Sequence, residues 1–332
     1  MKLPRRALGS GGVEVSCLGL GCMGMSDLYG PADRDESLAT IRAALDAGVT
    51  LLDTGDFYGM GHNEMLLAAA LEGRPRDSYE LSVKFGVRRG PDGAVLGVDA
   101  RPSSVKDSLA YSLRRLHTDY IDIYRPARLD PTVPIEETVG AISELVEAGY
   151  VRAIGLSEVG ADTVRRAARV HSICDLQIEH SLFTRSIEPV LLPACRELGI
   201  GITAYGVLSR GLLSGHWSSD RRSTPDFRSG SPRFQGPNLD RNLALVDALR
   251  AVSDEVGASV AQLAIAWVLD RGDDVVALVG ARRRERLEES LGAVPIVLDD
   301  DLRARIATAV PSEAAAGERY NPVGMASLDS ER

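Results

Sequence analysis

A short strand-type run followed by a helix-type run recurs almost to the end of the 332-residue chain. Strict alternation of this kind predicts parallel strands joined by crossover helices. Eight such units in this length predict an α/β fold, a single (β/α)₈ TIM barrel over residues 1–332, whose functional sites gather at the C-terminal ends of the strands. The predicted strands are 15–21, 50–55, 79–86, 120–125, 152–158, 175–180, 201–206 and 275–280.

The intervals between these strands carry apolar residues at helical spacing, for example Leu38, Ile41 and Leu45. Glycines at Gly48 and Gly149 stand where helices commonly end. These features predict the crossover helices of the barrel.

Three segments fall outside the alternation. Residues 3–14 are predicted to form a hairpin before the first barrel strand. From Gly215 to Pro237 the chain is rich in Ser, Arg, Pro and Gly, which predicts a long loop after the seventh strand, either a lid or a plain mobile loop. The polar tail from residue 311 is expected either to fold over the barrel mouth or to be disordered.

Charge and composition exclude several classes of function. The net charge of −9 comes without a basic stripe, so nucleic acid is not an expected partner. The longest apolar runs fall short of the roughly 18 residues of a membrane span, and the start has no secretory pattern, so a cytoplasmic protein is expected. The four cysteines have neither zinc-site nor disulfide-framework spacing.

One motif suggests a different fold. Gly19, Gly21 and Gly24 match the dinucleotide fingerprint of a Rossmann domain, and Asp53 ends the next strand. That fingerprint requires a helix to open at the glycines, with its amides toward a pyrophosphate. Pro31 and its neighbours intervene, so the helix is expected to begin no earlier than Asp33. The glycines are therefore interpreted as a tight loop at the barrel mouth.

Two strand ends place charged side chains inside the predicted barrel. Asp53 ends the second strand, and Lys84 lies within the third. A lysine in a barrel interior must be paired or strongly perturbed, and Asp53 is its expected partner. A simple buried ion pair would explain both residues. Tyr58, five residues beyond Asp53, favours chemistry instead, because a phenol beside a lysine suits an acid that protonates an oxyanion.

The last two strands point to a phosphate-bearing ligand. Tyr205 is followed by GVLSRGLLSG, a small-residue loop whose amides suit phosphate, and Gly280 leads into a helix that carries Arg282 and Arg286. Phosphate sites in barrels often lie after strands seven and eight. An arginine cluster at a helix N-terminus opposes the helix dipole unless a polyanion binds there. Polar groups able to hold a carboxamide, or plain polar strand ends, are Ser157, Glu158 and Gln177.

Together these stretches resemble the aldo-keto reductases. The motifs that carry the resemblance are LLDTGDFYG, SVKFG, YVRAIGLSE, QIEHSLF, ITAYGVLSRGLLSG and VGARRRERLEES. The bacterial and plant-like branch acting on aldehydes and small ketones is the most similar. The resemblance implies a barrel that binds NADPH without a Rossmann domain and reduces a small-molecule carbonyl.

The resemblance also implies a role for each residue. Tyr58 would be the general acid, Lys84 would lower its pKa, and Asp53 would hold Lys84. Tyr205 would stack on the nicotinamide, with Ser157, Glu158 and Gln177 around the carboxamide. The remaining cofactor contacts would be Leu208, Ser209, Gly211 and Leu213 at the pyrophosphate, Arg282 and Arg286 at the 2′-phosphate, Glu289 and Ser290 at the adenine, and Gly280.

Three positions depart from the family pattern. Glu158 and Ser290 stand where asparagine is common, and both remain hydrogen-bonding groups. Ala127 stands where the family usually has a histidine that donates a hydrogen bond to the substrate oxygen. The missing donor predicts reduced activity, and it supports an alternative in which the protein is an NADPH-binding sensor or regulatory subunit with little turnover.

Three nearby side chains carry donors of their own that could stand in for that histidine: Arg125, His117 and His180. Arg125 is in phase with Ala127 on the fourth strand, and we hypothesise that it reaches upward to the substrate oxygen. His117 is expected at the opposite end of the barrel. His180 ends the sixth strand, where the family usually has tyrosine.

Overall fold

Eight parallel strands close into a barrel in the computed structural model, which describes residues 3–10, 12–26, 28–217 and 226–331. In chain order the strands are β1 Arg5–Leu8, β2 Val13–Ser16, β3 Leu18–Gly21, β4 Leu51–Gly55, β5 Glu80–Phe85, β6 Val87–Arg89, β7 Val95–Val98, β8 Ile121–Pro126, β9 Val151–Ser157, β10 Ile173–Glu179, β11 Gly201–Tyr205 and β12 Val275–Gly280. The barrel runs β3, β4, β5, β8, β9, β10, β11 and β12, which then pairs with β3. The predicted TIM barrel is confirmed, and each predicted strand overlaps a barrel strand.

Helices cover the outside of this barrel. They are α1 Arg34–Asp46, α2 His62–Leu71, α3 Pro102–Leu116, α4 Ile135–Glu147, α5 Ala161–Ala168, α6 Leu191–Glu197, α7 Gly236–Glu255, α8 Val260–Leu269, α9 Arg284–Leu291, α10 Asp300–Ala309 and α11 Pro322–Ala326. Helix α1 begins directly after Asp33, whose side chain accepts the amide of Glu36. The glycine motif at the end of β3 therefore leads into a short turn, Met23–Met25, and not into a helix.

The N-terminal hairpin closes the bottom of the barrel. Strands β1 and β2 pair antiparallel, with Leu8 opposite Val13. Leu8 and Val15 are fully buried with Leu51 and Val276 in a small apolar cluster. The hairpin is as predicted, but the predicted strand 15–21 is divided, because the chain turns at Cys17 from the hairpin into the barrel.

The described part of the segment after β11 forms turns and the start of a helix. Of the loop predicted from Gly215 to Pro237, residues 218–225 lie outside the described part of the chain. The remainder holds 3₁₀ turns at Phe227–Gly230 and Pro232–Phe234, and α7 begins at Gly236 with Pro237 in its first turn. The loop therefore ends earlier than predicted.

Across the described ranges, each helix taken alone is too short or too polar to span a membrane. Helices α7 and α8 meet the length and hydropathy of a span only in combination, and an 88° bend separates them.

Candidate active site

Asp53, Tyr58 and Lys84 come together at the C-terminal mouth of the barrel. Asp53 lies on β4 and Lys84 on the neighbouring β5, while Tyr58 opens the 3₁₀ turn Tyr58–Gly61 that follows β4. All three are buried, with exposed fractions of 3%, 5% and 5%. The Lys84 ammonium bonds to Asp53 and lies 5.2 Å from the centre of the Tyr58 ring. The structure thus brings the three predicted catalytic side chains together.

Asp53 is held by three donors from two strands, β5 and β10. Its Oδ2 accepts from the Ser82 hydroxyl at 2.8 Å and from the Gln177 amide at 2.7 Å, while Lys84 bonds to Oδ1. Lys84 Nζ also donates to Gln177 Oε1 at 3.0 Å. Because each group is satisfied by its neighbours, the charge pair tolerates its burial. Gln177, predicted near a carboxamide, is part of this network.

Burial controls the titration of Tyr58 and Lys84. It raises the pKa of Tyr58 well above the usual value, and the Asp53 carboxylate adds to that effect, whereas Arg128 opposes it. Burial also lowers the pKa of Lys84, against the attraction of Asp53. The raised pKa favours the protonated phenol. The Lys84 ammonium bonds to Asp53, and the lowering of the phenol pKa by Lys84 stays a prediction.

A second buried ion pair lies inside the barrel below this site. Arg125 Nη1 donates to Asp175 Oδ2 at 3.0 Å, and both side chains are fully buried. Arg125 Nη2 donates to the Ser82 hydroxyl at 3.1 Å, and Thr203 donates to Asp175. Arg125 is therefore committed to the interior. The hypothesis that it reaches the substrate oxygen is wrong, because its guanidinium points into the barrel toward Asp175.

Neither histidine weighed as a replacement stands free at the mouth. His117 caps the C-terminal end of α3, at the opposite end of the barrel. His180 is fully buried, contacts Glu188 through Nε2 at 3.2 Å and packs edge-on against Trp267.

Glu158 is anchored by the C-terminal tail. Arg319 donates to both of its carboxylate oxygens, at 2.9 and 2.8 Å, and the Ser330 hydroxyl donates at 2.7 Å. The Tyr205 hydroxyl also donates to Glu158 at 2.7 Å. Burial acts to raise the pKa of Glu158, but the hydrogen bonds and charge of Arg319 outweigh it and lower that pKa to about 2. Glu158 lies beside Tyr205 as predicted, yet both of its carboxylate oxygens already accept hydrogen bonds from Arg319, Ser330 and Tyr205.

Sequence reasoning missed Arg319. It is 3% exposed and lies in the tail, where it also contacts Glu331 at 2.7 Å. The signal was Glu158 itself, since a carboxylate at a buried strand end where the family has a neutral amide requires a cation nearby. Ser157, 1% exposed, completes this group at the end of β9.

The loop after β11 has the backbone of an anion site. Leu208 precedes the turn Ser209–Ser214, and Ser209, Arg210 and Gly211 all adopt left-handed conformations there, with φ of 45°, 56° and 104°. Arg210 Nη2 is buried and lacks a hydrogen-bond partner in the described part of the chain. The same Nη2 lies 3.7 Å from the Glu179 carboxylate, so its charge is paired, but an N–H that makes no hydrogen bond among the described residues suits a phosphate group beside this loop. Leu213, also predicted here, is buried.

The predicted adenosine end lies around β12 and α9. Gly280 is exposed at the end of β12, and Ser290 is buried on α9. Arg286 Nη1 and Glu289 pair at 3.0 Å, and His216, which sequence reasoning missed, contacts both. Arg282 Nη1 donates to the Tyr29 and Pro31 carbonyls, at 3.0 and 3.2 Å. Arginines with donors to spare at this end suit a phosphorylated nucleoside.

Comparison with known proteins decides the family. The sequence pattern of the aldo/keto reductase family matches residues 17–310. The chain belongs to the aldo/keto reductase family. Membership makes this reductase an NADP(H)-dependent oxidoreductase, which confirms the predicted enzyme class and cofactor.

Individual relatives agree over almost the whole reductase. A soybean (Glycine max) protein named probable aldo-keto reductase 1 is 41% identical over 316 residues, 94% of this chain and 90% of its own. A glycerol dehydrogenase structure from Gluconobacter oxydans is 29% identical with a TM-score of 0.85, covering 96% and 98% of the two chains. An aldo-keto reductase from Klebsiella pneumoniae, solved with NADP and acetate, is 26% identical with a TM-score of 0.74, covering 96% and 99%.

Proposed function

We propose that this reductase converts an aldehyde or small ketone to an alcohol, with Tyr58 as the general acid. The observation that carries the proposal is the buried Lys84–Asp53 pair beside the buried Tyr58 phenol at the barrel mouth. A protonated phenol in a water-poor site, with a cation behind it, has what is needed to give a proton to a developing alkoxide.

NADPH, when bound, supplies the hydride. The residues that would hold its nicotinamide end are Ser157, Gln177 and Tyr205, with Glu158 acting through its hydrogen bond to Tyr205. The loop of Leu208, Ser209, Gly211 and Leu213 would hold the pyrophosphate, assisted by Arg210 Nη2, which makes no hydrogen bond among the described residues. Gly280 would be a further cofactor contact. Arg282 and Arg286 would face the 2′-phosphate, and Glu289 and Ser290 the adenine.

The protein side of the reaction follows from the hydrogen bonds. As the carbonyl oxygen gains charge, Tyr58 transfers its proton to that oxygen. The Lys84 ammonium then stabilises the phenolate, and Asp53 keeps Lys84 charged in a site where burial favours the neutral amine. Gln177 bridges Lys84 and Asp53, so it orients the pair.

Steady-state consumption of NADPH with a panel of neutral aldehydes and small ketones tests this function. We expect turnover by the wild type and a loss of at least about a hundredfold for Tyr58→Phe, which removes the acid. Tyr111→Phe is the matched control, because that tyrosine is exposed on α3. Equal rates for Tyr58→Phe and wild type would refute the assignment.

The competing function is an NADPH-binding sensor or regulatory subunit, and the bare methyl of Ala127 is the observation that favours it. It predicts that NADPH binds tightly, that the rate of NADPH consumption stays at the background across the panel, and that Tyr58→Phe changes nothing.

A further inference from the structure

The position of the usual histidine donor is occupied by a methyl group. Ala127 directly follows β8, is 1% exposed, and donates its amide to the Phe85 carbonyl at 2.8 Å. Its side chain therefore lies at the mouth but offers no hydrogen bond. A carbonyl reduced here would have Tyr58 as its proton donor and would need a second donor to polarise it.

The next residue carries such a donor. Arg128 Nη1 donates to the Ala127 carbonyl at 2.7 Å, which folds the guanidinium back over the end of β8. Its Nη2 donates to the Tyr320 hydroxyl at 3.3 Å, and Tyr320 in turn lies 3.2 Å from the Tyr205 hydroxyl. Arg128 is thus held between the strand end and the tyrosine predicted to stack on the nicotinamide.

Among the described residues Arg128 forms no direct ion pair, although the Glu158 charge acts on it from a distance. In the described ranges no acidic oxygen lies within 4.0 Å of it, whereas Arg319 lies 2.8 Å from Glu158 and Arg233 lies 3.3 Å from Glu179. A guanidinium has five N–H donors, and the two bonds above leave the others available. A half-buried cation with unused donors stabilises negative charge that develops beside it.

Arg128 is also electrostatically coupled to the acid. Its positive charge lowers the pKa of Tyr58, against the larger upward effects of burial and of the Asp53 carboxylate. The topology places the two groups close together, because β4, which Tyr58 follows, and β8, which Arg128 follows, both pair with β5.

We propose that Arg128 is a catalytic residue of this reductase, donating a hydrogen bond to the substrate carbonyl oxygen in place of the absent histidine, with Tyr320 positioning it. The inference rests on the proposed function. A hydride from NADPH, which becomes NADP⁺, adds to the carbonyl carbon while the C=O π pair moves to oxygen. That oxygen takes the Tyr58 proton, and Arg128 keeps all of its own protons.

The test compares Arg128→Gln with wild type on a neutral aldehyde. We expect kcat to fall by roughly a hundred- to a thousand-fold, the usual effect of losing an oxyanion donor, with the Kd for NADPH unchanged. Arg114→Gln on the exposed face of α3 is the control for loss of a positive charge. An unchanged kcat in a wild type that turns over would overturn the role of Arg128 and leave the proposed function standing. A wild type without turnover would overturn both.

A rescue experiment separates a catalytic from a structural role. Adding Ala127→His to Arg128→Gln restores the donor at the family position, so kcat should recover at least tenfold. A double variant that folds and binds NADPH but is no faster than Arg128→Gln would overturn the proposal. So would a loss seen only as a raised KM for an oxo acid, because that outcome would make Arg128 a ligand of a substrate carboxylate.

The pH profile gives a second readout. Arginine does not titrate in the physiological range, so kcat of the wild type should show no inflection near pH 6.5. The double variant with the new histidine should acquire one, since an ordinary histidine titrates at about 6.5. The same inflection in the wild type would contradict the assignment.

Discussion

The carboxylate of Glu158, at the end of β9, binds the C-terminal tail. Glu158 adopts a left-handed backbone with φ of 53°, a conformation that asparagine accepts more readily than glutamate. Its fully buried charge requires a cation, and Arg319 supplies one from the tail. An amide at this position would be free to face a carboxamide, whereas Glu158 instead binds the tail and orients Tyr205.

Replacing Glu158 by Gln should therefore loosen the tail. We expect the free energy of unfolding at pH 7 to fall by about 3 kcal/mol, because Arg319 loses its main buried partner. Glu331→Gln is the control, since Glu331 contacts the same guanidinium but is more exposed. Urea denaturation measures both, and equal losses in the two variants would contradict the assigned weight of Glu158.

The same pair predicts a dependence on pH. The pKa of Glu158 is about 2 in the folded chain, below its ordinary value of 4.5, so its contribution to stability is complete above pH 4.5 and disappears as the pH falls toward 2. The difference in stability between wild type and Glu158→Gln should therefore shrink over that window. A constant difference would show that the carboxylate charge is not the cause.

The pKa of Asp56 is raised by folding, whereas that of Glu158 is lowered. Burial, followed by the charge of Glu64, raises its pKa to about 7, and its Oδ1 has no hydrogen-bond partner among the described residues. Because the folded pKa is raised, the stability associated with Asp56 is complete below pH 3.8 and is lost as the pH rises through 7.

Asp56→Asn should consequently come closest to wild type below pH 3.8, where the carboxyl is protonated in both the folded and the unfolded chain, and should gain on it as the pH rises to 7. Between pH 5 and pH 8 its advantage in the free energy of unfolding should grow by about 2–3 kcal/mol. Thermal or urea denaturation at the two pH values measures it, and a variant that is less stable at pH 8 would contradict the account.

At the scale of elements, β8 carries two arginines to different depths. Arg125 points into the barrel and bonds Asp175 on β10, while Arg128, beyond the strand end at Pro126, lies at the mouth.

Removing one partner of the buried Arg125–Asp175 pair should lower the free energy of unfolding more than replacing both partners by apolar residues. Arg125→Met should destabilise the barrel by roughly 3–5 kcal/mol, and the double variant Arg125→Met, Asp175→Leu should recover most of that loss. Denaturation of the two variants tests the pair, and a double variant no more stable than the single one would contradict it.

Helices and strands were predictable from the sequence where apolar spacing or a capping residue within the segment itself determines them. The strands and the start of α1 follow from the alternation and from the cap at Asp33. The division near Cys17 was missed because β2 and β3 read as one apolar run. The direction of Arg125 was also missed, since its partner Asp175 lies fifty residues away in sequence.

At the scale of the whole molecule, the tail completes the mouth of the barrel. Arg319 and Tyr320 contact the ends of β9 and β11 and the residue after β8, contacts that span more than a hundred positions. Asp53, Tyr58 and Lys84 were predictable because adjacent strands deliver them, whereas Arg319, Arg210 and Arg128 were not, since their positions depend on how distant segments pack.

Hydride transfer to a carbonyl, with Tyr58 as the acid, leaves a label that can be followed. The experiment uses NADPH deuterated at the reactive carbon of the nicotinamide, a neutral aldehyde as substrate and mass spectrometry of the alcohol formed. We expect one deuterium on the carbinol carbon with the wild type and almost no product with Tyr58→Phe. Tight NADPH binding by the wild type without deuterated alcohol would contradict it.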